Sequence, residues 1–185
     1  MPIATGKNLK PPLRASNWTE NTMDTITIRM VEPDDLTACH TIEARSFPPA
    51  EAAWTTALRT RIETYPEGYL VAELDKRVVG QINSGSTHKE DITDEEFKHL
   101  VGHDPDGENI VIFSLSVLPE YRSQGIASRL LDGFINHARE MGKSKVMLLC
   151  KHDLVPYYQR RGFMDGGLSS STHGGASWHV MSMML

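Results

Sequence analysis

The sequence has 185 residues, 39% of them hydrophobic and 23% charged, which suits a single folded domain and excludes overall disorder. The formal net charge of −5 is opposite to the basic excess of nucleic-acid-binding proteins, so nucleic acid is not an expected partner. No run approaches the roughly 20 apolar residues of a membrane helix, and the N-terminus lacks a secretory apolar core. We therefore expect a cytoplasmic protein without a membrane partner. Cys39 and Cys150 cannot form a disulfide framework, and we expect both thiols to be buried and reduced.

The first part of the chain predicts an arm followed by the start of a domain. Residues 1–24 carry prolines and polar residues without a sustained period, which indicates an extended N-terminal arm before a domain at 25–185. Alternating β-branched and polar residues then predict a strand, and Pro33 followed by two acidic residues favours a helix start. The elements predicted here are strand 25–31, helices 33–47 and 50–62, a hairpin of strands 68–74 and 78–84 joined by residues 75–77, and a short helix 93–100 with Thr93 and Glu96 as its capping box.

The second part alternates strands with helices. A run rich in Ile, Val, Phe and Leu predicts a buried strand at residues 109–118, and apolar residues at helical spacing predict a long helix at 125–141. A strand at 145–150, a short helix at 154–161 and a strand at 178–184 complete the chain. Strands that first pair locally and then alternate with helices predict a mixed α/β sheet.

The junction between the buried strand and the long helix is the most informative segment. It reads Arg122-Ser123-Gln124-Gly125-Ile126-Ala127, so small residues stand where the helix begins. The first N–H groups of a helix have no intrahelical partner, and the helix dipole favours an anion there. No Gly-Lys-Ser/Thr follows, so this is not a Walker loop, and the GxGxxG dinucleotide pattern is also absent.

This segment resembles the Arg/Gln-x-x-Gly-x-Gly/Ala signature of the GNAT superfamily of N-acetyltransferases. Downstream, Tyr158-Gln159-Arg160-Arg161-Gly162-Phe163 is similar to a second GNAT motif. The longer string over residues 153–163, and Phe47-Pro48-Pro49-Ala50-Glu51 upstream, are similar to arylalkylamine (serotonin) N-acetyltransferase and its microbial relatives. The resemblance spans about residues 26–184. It implies a twisted mixed sheet of about seven strands flanked by helices.

The resemblance also implies how the co-substrate acetyl-CoA binds. Its pyrophosphate would lie on Arg122, Ser123, Gln124, Gly125, Ile126, Ala127 and Ser128. The backbone of Leu115, Ser116 and Val117 would pair with the pantetheine arm as an extra strand would. Tyr158 corresponds to the family tyrosine near the CoA sulfur, where a phenol can protonate the departing thiolate. No metal is expected, because His99 and His103 lie four residues apart without a third ligand.

The general base stays open. An alkylammonium, with a pKa of about 10.4, must lose a proton before it can attack a thioester. Vertebrate members of the subfamily place two histidines on the fourth strand, but here those positions fall at about Val111 and Phe113. Glu43, Glu51 and His103 remain as candidates, and Ser114 could hold a bridging water.

Phe47, Pro48, Trp54 and Phe113 could form an apolar slot for the carbon part of the amine, or could be core residues. The resemblance implies direct acetyl transfer to the primary amine of a small arylalkylamine in a ternary complex. Three alternatives stay open: a polyamine or diamine N-acetyltransferase, a protein acetyltransferase, and an acetyl-CoA-binding module with little catalysis. The oligomeric state does not follow from the sequence.

Overall fold

The computed structural model describes residues 25–185, and the predicted N-terminal arm lies outside this range. Seven strands form one sheet in the order β1-β2-β3-β4-β5-β7-β6, and helices cover it. The strands are β1 (Thr27–Met30), β2 (Tyr69–Leu74), β3 (Arg77–Thr87), β4 (Asn109–Val117), β5 (Lys145–Cys150), β6 (Met164–Leu168) and β7 (His179–Met184). The α-helices are α1 (Leu36–Ser46), α2 (Thr55–Thr64), α3 (Ile126–Glu140) and α4 (Val155–Gln159). The predicted fold class, a mixed α/β sheet of about seven strands, is confirmed.

Within the sheet, β4 and β5 form a parallel pair, whereas the other adjacent strands are antiparallel. A parallel pair needs a crossover connection, and α3 provides it. The β2–β3 hairpin closes through a two-residue turn in which Asp75 (φ 49°) and Lys76 (φ 63°) are both left-handed, as in a type I′ turn. Arg77 belongs to β3, so the turn is one residue shorter than predicted.

The alternation of side chains along β3 assigns the helices to opposite faces of the sheet. Gly80 lies against Leu130 of α3, where a Cβ would come within 3.0 Å of the Leu130 side chain. The next residue, Gln81, hydrogen-bonds the Cys39 carbonyl of α1 at 3.1 Å. Successive residues of a strand point to opposite faces, so α3 covers one face and α1 covers the other.

The α3 face carries a dense apolar core. Phe134 of α3 is fully buried among strand residues, together with Leu130 and Leu131. We expect Phe134→Ala to lower the free energy of unfolding by about 3–5 kcal/mol, because a large buried side chain leaves a cavity that its neighbours fill only partly. Urea unfolding followed by circular dichroism measures this change. A loss below about 1 kcal/mol would contradict the packing described here.

The structure changes several details of the predicted elements. The second helix begins at Thr55 rather than residue 50, because residues 48–53 form a turn in which Glu51 and Ala52 donate to the Pro48 carbonyl. The predicted capping box is wrong: Asp94, not Thr93, caps the short helix Glu95–His99 by accepting from the Glu96 N–H at 2.9 Å. β3 continues to Thr87, and β6 was not predicted. Within residues 25–185, no helix combines the length and apolar character that crossing a membrane requires.

Candidate active site

The sheet opens between its two parallel strands. β4 and β5 pair only from Asn109↔Lys145 to Ile112↔Leu148, and beyond these residues the two strands diverge. Pairing of β4 with β3 also shifts here, because Asn83 faces Ser114 while Ser84 faces Ile112. Phe113 is therefore the extra residue of a β-bulge, and bulges redirect side chains next to functional sites. The divergence exposes one edge of β4 along its second half.

A cavity of about 690 Å³ occupies this opening. It is lined by β4 and β5 residues, by α1 and α4, and by the segments 46–54 and 92–99. The sequence-predicted residues that line it are Glu43, Phe47, Pro48, Glu51, Trp54, Phe113, Leu115 and Tyr158. The cavity is also lined by Val111 and Phe113, the two positions that correspond to the strand histidines of the vertebrate enzymes. The predicted catalytic and substrate residues thus come together in one place.

Glu43 holds a carboxylate at the cavity wall. Its side chain is buried with the residue 3% exposed, so it does not belong to a solvated helix face. One carboxylate oxygen accepts from the Ala53 N–H at 3.1 Å. The other oxygen accepts from the Ser114 hydroxyl at 2.8 Å and from the Gln81 amide at 3.0 Å. Ser114, which also lines the cavity, therefore connects it to a buried carboxylate.

Arg61 of α2 is a buried cation in the same cavity, and sequence reasoning missed it. Its guanidinium donates to the Asn83 side-chain oxygen at 2.8 Å and to the Lys98 carbonyl at 2.8 and 3.0 Å. It also lies over the Phe113 ring, 4.8 Å from the centroid. Burial lowers the pKa of Arg61, while the nearby Glu43 carboxylate raises it. The signal in the sequence is its spacing: Arg61 lies on the same face of the helix as the buried Ala57 and Leu58.

Tyr158 lies where α4 meets the cavity and is 7% exposed. Its ring packs edge-on against Tyr157 and Phe163, at centroid distances of 5.1 and 5.5 Å. Burial raises the pKa of the Tyr158 hydroxyl well above its usual range. The phenol is therefore protonated at neutral pH and can act as a proton donor. Burial likewise raises the pKa of Cys150, to about 11, which argues against a nucleophilic thiolate.

The segment before α3 has the backbone geometry of an anion-binding loop. Ser123 (φ 60°) and Gly125 (φ 79°) are left-handed, and Gly125 is the N-cap of α3. Such a loop turns consecutive N–H groups outward next to the positive end of a 15-residue helix. Arg122 anchors the loop, because its Nε donates to the Val117 carbonyl at 3.0 Å and leaves the Nη groups for a ligand. Ile126 is buried, so only its backbone is available to a ligand.

The sequence was also compared with models of known protein families. The model of the acetyltransferase (GNAT) family matches residues 36–163. The chain belongs to the GNAT family. The predicted superfamily and the predicted class of enzyme, an N-acetyltransferase that uses acetyl-CoA, are therefore confirmed.

The proteins to which this GNAT chain is similar are described with different functions. Serotonin N-acetyltransferase of Mesocricetus auratus is 26% identical over 198 residues, covering 100% of this chain and 94% of that protein. Probable hydrolase YhcX of Bacillus subtilis (strain 168) is 27% identical over 130 residues, 65% of this chain, and the chain spans only 25% of its length. The loading GNATL domain of CurA from Lyngbya majuscula has the same fold, with a TM-score of 0.78 and 17% identity over 86% of this chain and 98% of that domain.

Some of the residues that were predicted to belong to the site lie outside the cavity. His103 does not line the cavity: its ring packs on Tyr65 at 4.4 Å and accepts from the Ser86 N–H at 3.0 Å. His103 is therefore not placed to act as the base. Of the residues predicted to pair with the pantetheine arm, Ser116 and Val117 do not line the cavity. The buried Ser116 side chain accepts from Gln81, and the Val117 carbonyl already accepts from Arg122. Among residues 25–185, no group of three or more ligating side chains is placed to hold a metal ion.

Gly125 offers a test of the anion loop. A Cβ there meets nothing within 4 Å, so Gly125→Ala adds no clash but strains a left-handed residue by about 1–2 kcal/mol. We expect the dissociation constant of acetyl-CoA to rise about 5- to 30-fold while the kcat at saturating acetyl-CoA stays within twofold. Isothermal titration calorimetry with acetyl-CoA measures the first quantity. An unchanged dissociation constant would remove the loop from the binding site.

Proposed function

We propose that the protein transfers the acetyl group of acetyl-CoA to the primary amine of a small arylalkylamine. The observation that carries this proposal is the cavity at the divergence of β4 and β5. It joins an open strand edge, a buried carboxylate–hydroxyl pair and a buried phenol within one space.

The residues fit acetyl-CoA at two places. The left-handed loop before α3 presents N–H groups, and the Ser128 hydroxyl stands in the first helical turn beside Arg161. The exposed edge of β4 near Leu115 offers backbone groups that β5 leaves unpaired. Bound there, acetyl-CoA supplies an activated acyl group and a thiolate leaving group.

Glu43 is the base we propose, acting through Ser114. The acceptor enters as an ammonium and must lose a proton to attack. Its proton passes to the Ser114 oxygen as the Ser114 proton passes to the Glu43 carboxylate, along the 2.8 Å hydrogen bond. Glu51, the other carboxylate predicted as a base, is paired with Lys151 at 2.8 Å and is less suited to that role.

Tyr158 is the acid we propose, since its protonated hydroxyl lines the same cavity. An apolar slot formed by Phe47, Pro48, Phe113 and the 74% exposed Trp54 would hold the carbon part of the acceptor. The resemblance to serotonin N-acetyltransferase over the whole chain supports an aromatic acceptor.

The experiment is thiol release from acetyl-CoA with tryptamine, phenylethylamine, spermidine, putrescine and a lysine peptide as acceptors. Turnover on the aromatic amines supports the proposal. Turnover only on polyamines or on the peptide would keep the reaction but change the acceptor. Binding of acetyl-CoA without turnover on any amine would indicate an acetyl-CoA-binding module.

A further inference from the structure

Glu51 carries a buried hydrogen-bond acceptor that no residue in the described range 25–185 uses. It belongs to the segment 48–54, which we call the roof loop, and it lines the cavity. Its side chain is 8% exposed, and one carboxylate oxygen accepts from Lys151 Nζ at 2.8 Å. The other oxygen, Oε2, is buried and has no hydrogen-bond partner among residues 25–185. Such a group costs stability unless a water or a ligand satisfies it.

The position of Glu51 is fixed from several sides. Its backbone carbonyl accepts from His173 Nε2 at 3.2 Å, and Lys151 holds the end of its side chain. Gly174, with φ of 60°, lies directly against it, and a Cβ there would come within 2.5 Å of Glu51 Cγ. The carboxylate therefore has little room to turn toward another protein donor. It is held in place at the cavity wall.

The charges around Glu51 favour a neutral donor over a second cation. Lys151 already balances the Glu51 carboxylate. Glu95 of the segment 92–99, which shares His173 with Glu51, is paired with Lys98 at 3.0 Å and with His173 at 2.8 Å. Beside Glu51 and Glu95, a second ammonium would thus find carboxylates that are already paired, and it would lose its hydration. A hydroxyl or ring N–H needs only an acceptor, which Oε2 provides.

The aromatic surfaces of the cavity fit the same ligand. Trp178 lines the cavity, donates its indole N–H to the His173 carbonyl at 2.9 Å and packs near Lys151 Nζ at 5.7 Å. Phe113 of β4 also lines the cavity. An acceptor ring in contact with these residues would lie in the same cavity as the roof loop, where a substituent on its rim can meet Glu51.

Resting on the proposed function, we infer that Glu51 Oε2 accepts a hydrogen bond from a hydroxyl or N–H group on the acceptor ring. The substrate class is then arylalkylamines with a ring donor, such as hydroxyphenylethylamines and indolylethylamines. Glu51 determines this specificity, while Glu43 takes the amine proton. A ring without a donor leaves a buried acceptor unpaired, which is the situation in which a binding site discriminates strongly.

The test compares acceptors that differ by one donor. We expect kcat/KM for tyramine to exceed that for phenylethylamine at least tenfold, and kcat/KM for tryptamine to exceed that for 1-methyltryptamine similarly. In Glu51→Ala the two ratios fall to about two or less, mainly because the donor-bearing amines become poorer substrates. Gly174→Ala, which keeps the carboxylate but displaces it, lowers the ratios in the same direction.

Glu90→Ala is the matched control. It removes a carboxylate from a comparable pair, Glu90 with Lys145 at 2.7 Å, on the surface outside the cavity. Its ratios stay as in the wild type. Equal rates for tyramine and phenylethylamine in the wild type, or unchanged ratios in Glu51→Ala, overturn the inference alone. A preference for putrescine that Glu51→Ala abolishes also overturns it, in favour of a second ammonium. No acetylation of any amine overturns the proposed function, and the inference with it.

Discussion

Glu43→Gln lowers kcat for an arylalkylamine about 10²- to 10⁴-fold at pH 7, because the acceptor ammonium loses its proton sink. The dissociation constant of acetyl-CoA stays within about twofold, since Glu43 lies far along the chain from the loop before α3 and has no part in binding acetyl-CoA in the proposed mechanism. The defect shrinks as the pH rises from 7 to 9. Each unit of pH increases the free-amine fraction about tenfold while the pH is below the amine pKa of about 10.4, so less deprotonation is needed. Steady-state rates of thiol release across this pH range measure the effect.

The substitution also affects stability, because an amide cannot accept from three donors as the carboxylate does. One of the donors from Ala53, Gln81 and Ser114 loses its acceptor. We expect the free energy of unfolding to fall by about 1–3 kcal/mol. Ser114→Ala is the milder companion: it keeps the carboxylate and lets a water take the place of the hydroxyl. A folded Glu43→Gln enzyme with wild-type kcat at pH 7 would exclude Glu43 as the base.

Most of the fold could be predicted because its signals are local. The alternation at β1, the apolar run of β4 and the apolar stripe of α3 each follow from residues close in the chain. β6 could not be predicted, because Met164–Leu168 contains two glycines and lies mostly exposed at the sheet edge. Its strand conformation depends on pairing with β7, as with Met164↔Ser182. Edge pairing of this kind leaves little pattern in the sequence.

The candidate site likewise contains some residues that could be predicted from local sequence and others that could not. The loop around Gly125 and the position of Tyr158 follow from motifs, because their chemistry depends on neighbouring residues. The burial of Glu43 could not be predicted, since it depends on Ser114, 71 residues away in the chain. Arg61 and His173 were missed for the same reason: their partners are Asn83 and Lys98 for the first, and Glu95 and the Glu51 carbonyl for the second. Polar residues that meet only through the tertiary fold look like surface residues in a sequence.

Tyr158→Phe lowers kcat about 10²- to 10⁴-fold while the dissociation constant of acetyl-CoA stays within about twofold, because only the proton for the departing thiolate is lost. Phenylalanine retains the ring contacts with Tyr157 and Phe163, so we expect little change in the free energy of unfolding. Burial raises the pKa of the Tyr158 hydroxyl, so the wild-type enzyme keeps this proton from pH 7 to pH 9. The defect of Tyr158→Phe is therefore constant over that range.

This constant defect separates the acid from the base, because the loss in Glu43→Gln shrinks with rising pH and the loss in Tyr158→Phe does not. The matched control is Tyr157→Phe, which removes the neighbouring hydroxyl, a buried group without a hydrogen-bond partner among the described residues. Its kcat stays within about threefold of the wild type, since that hydroxyl has no role in our mechanism. Equal losses in the two tyrosine variants would point to disturbed packing of α4. A wild-type kcat in Tyr158→Phe would assign the thiolate proton to solvent.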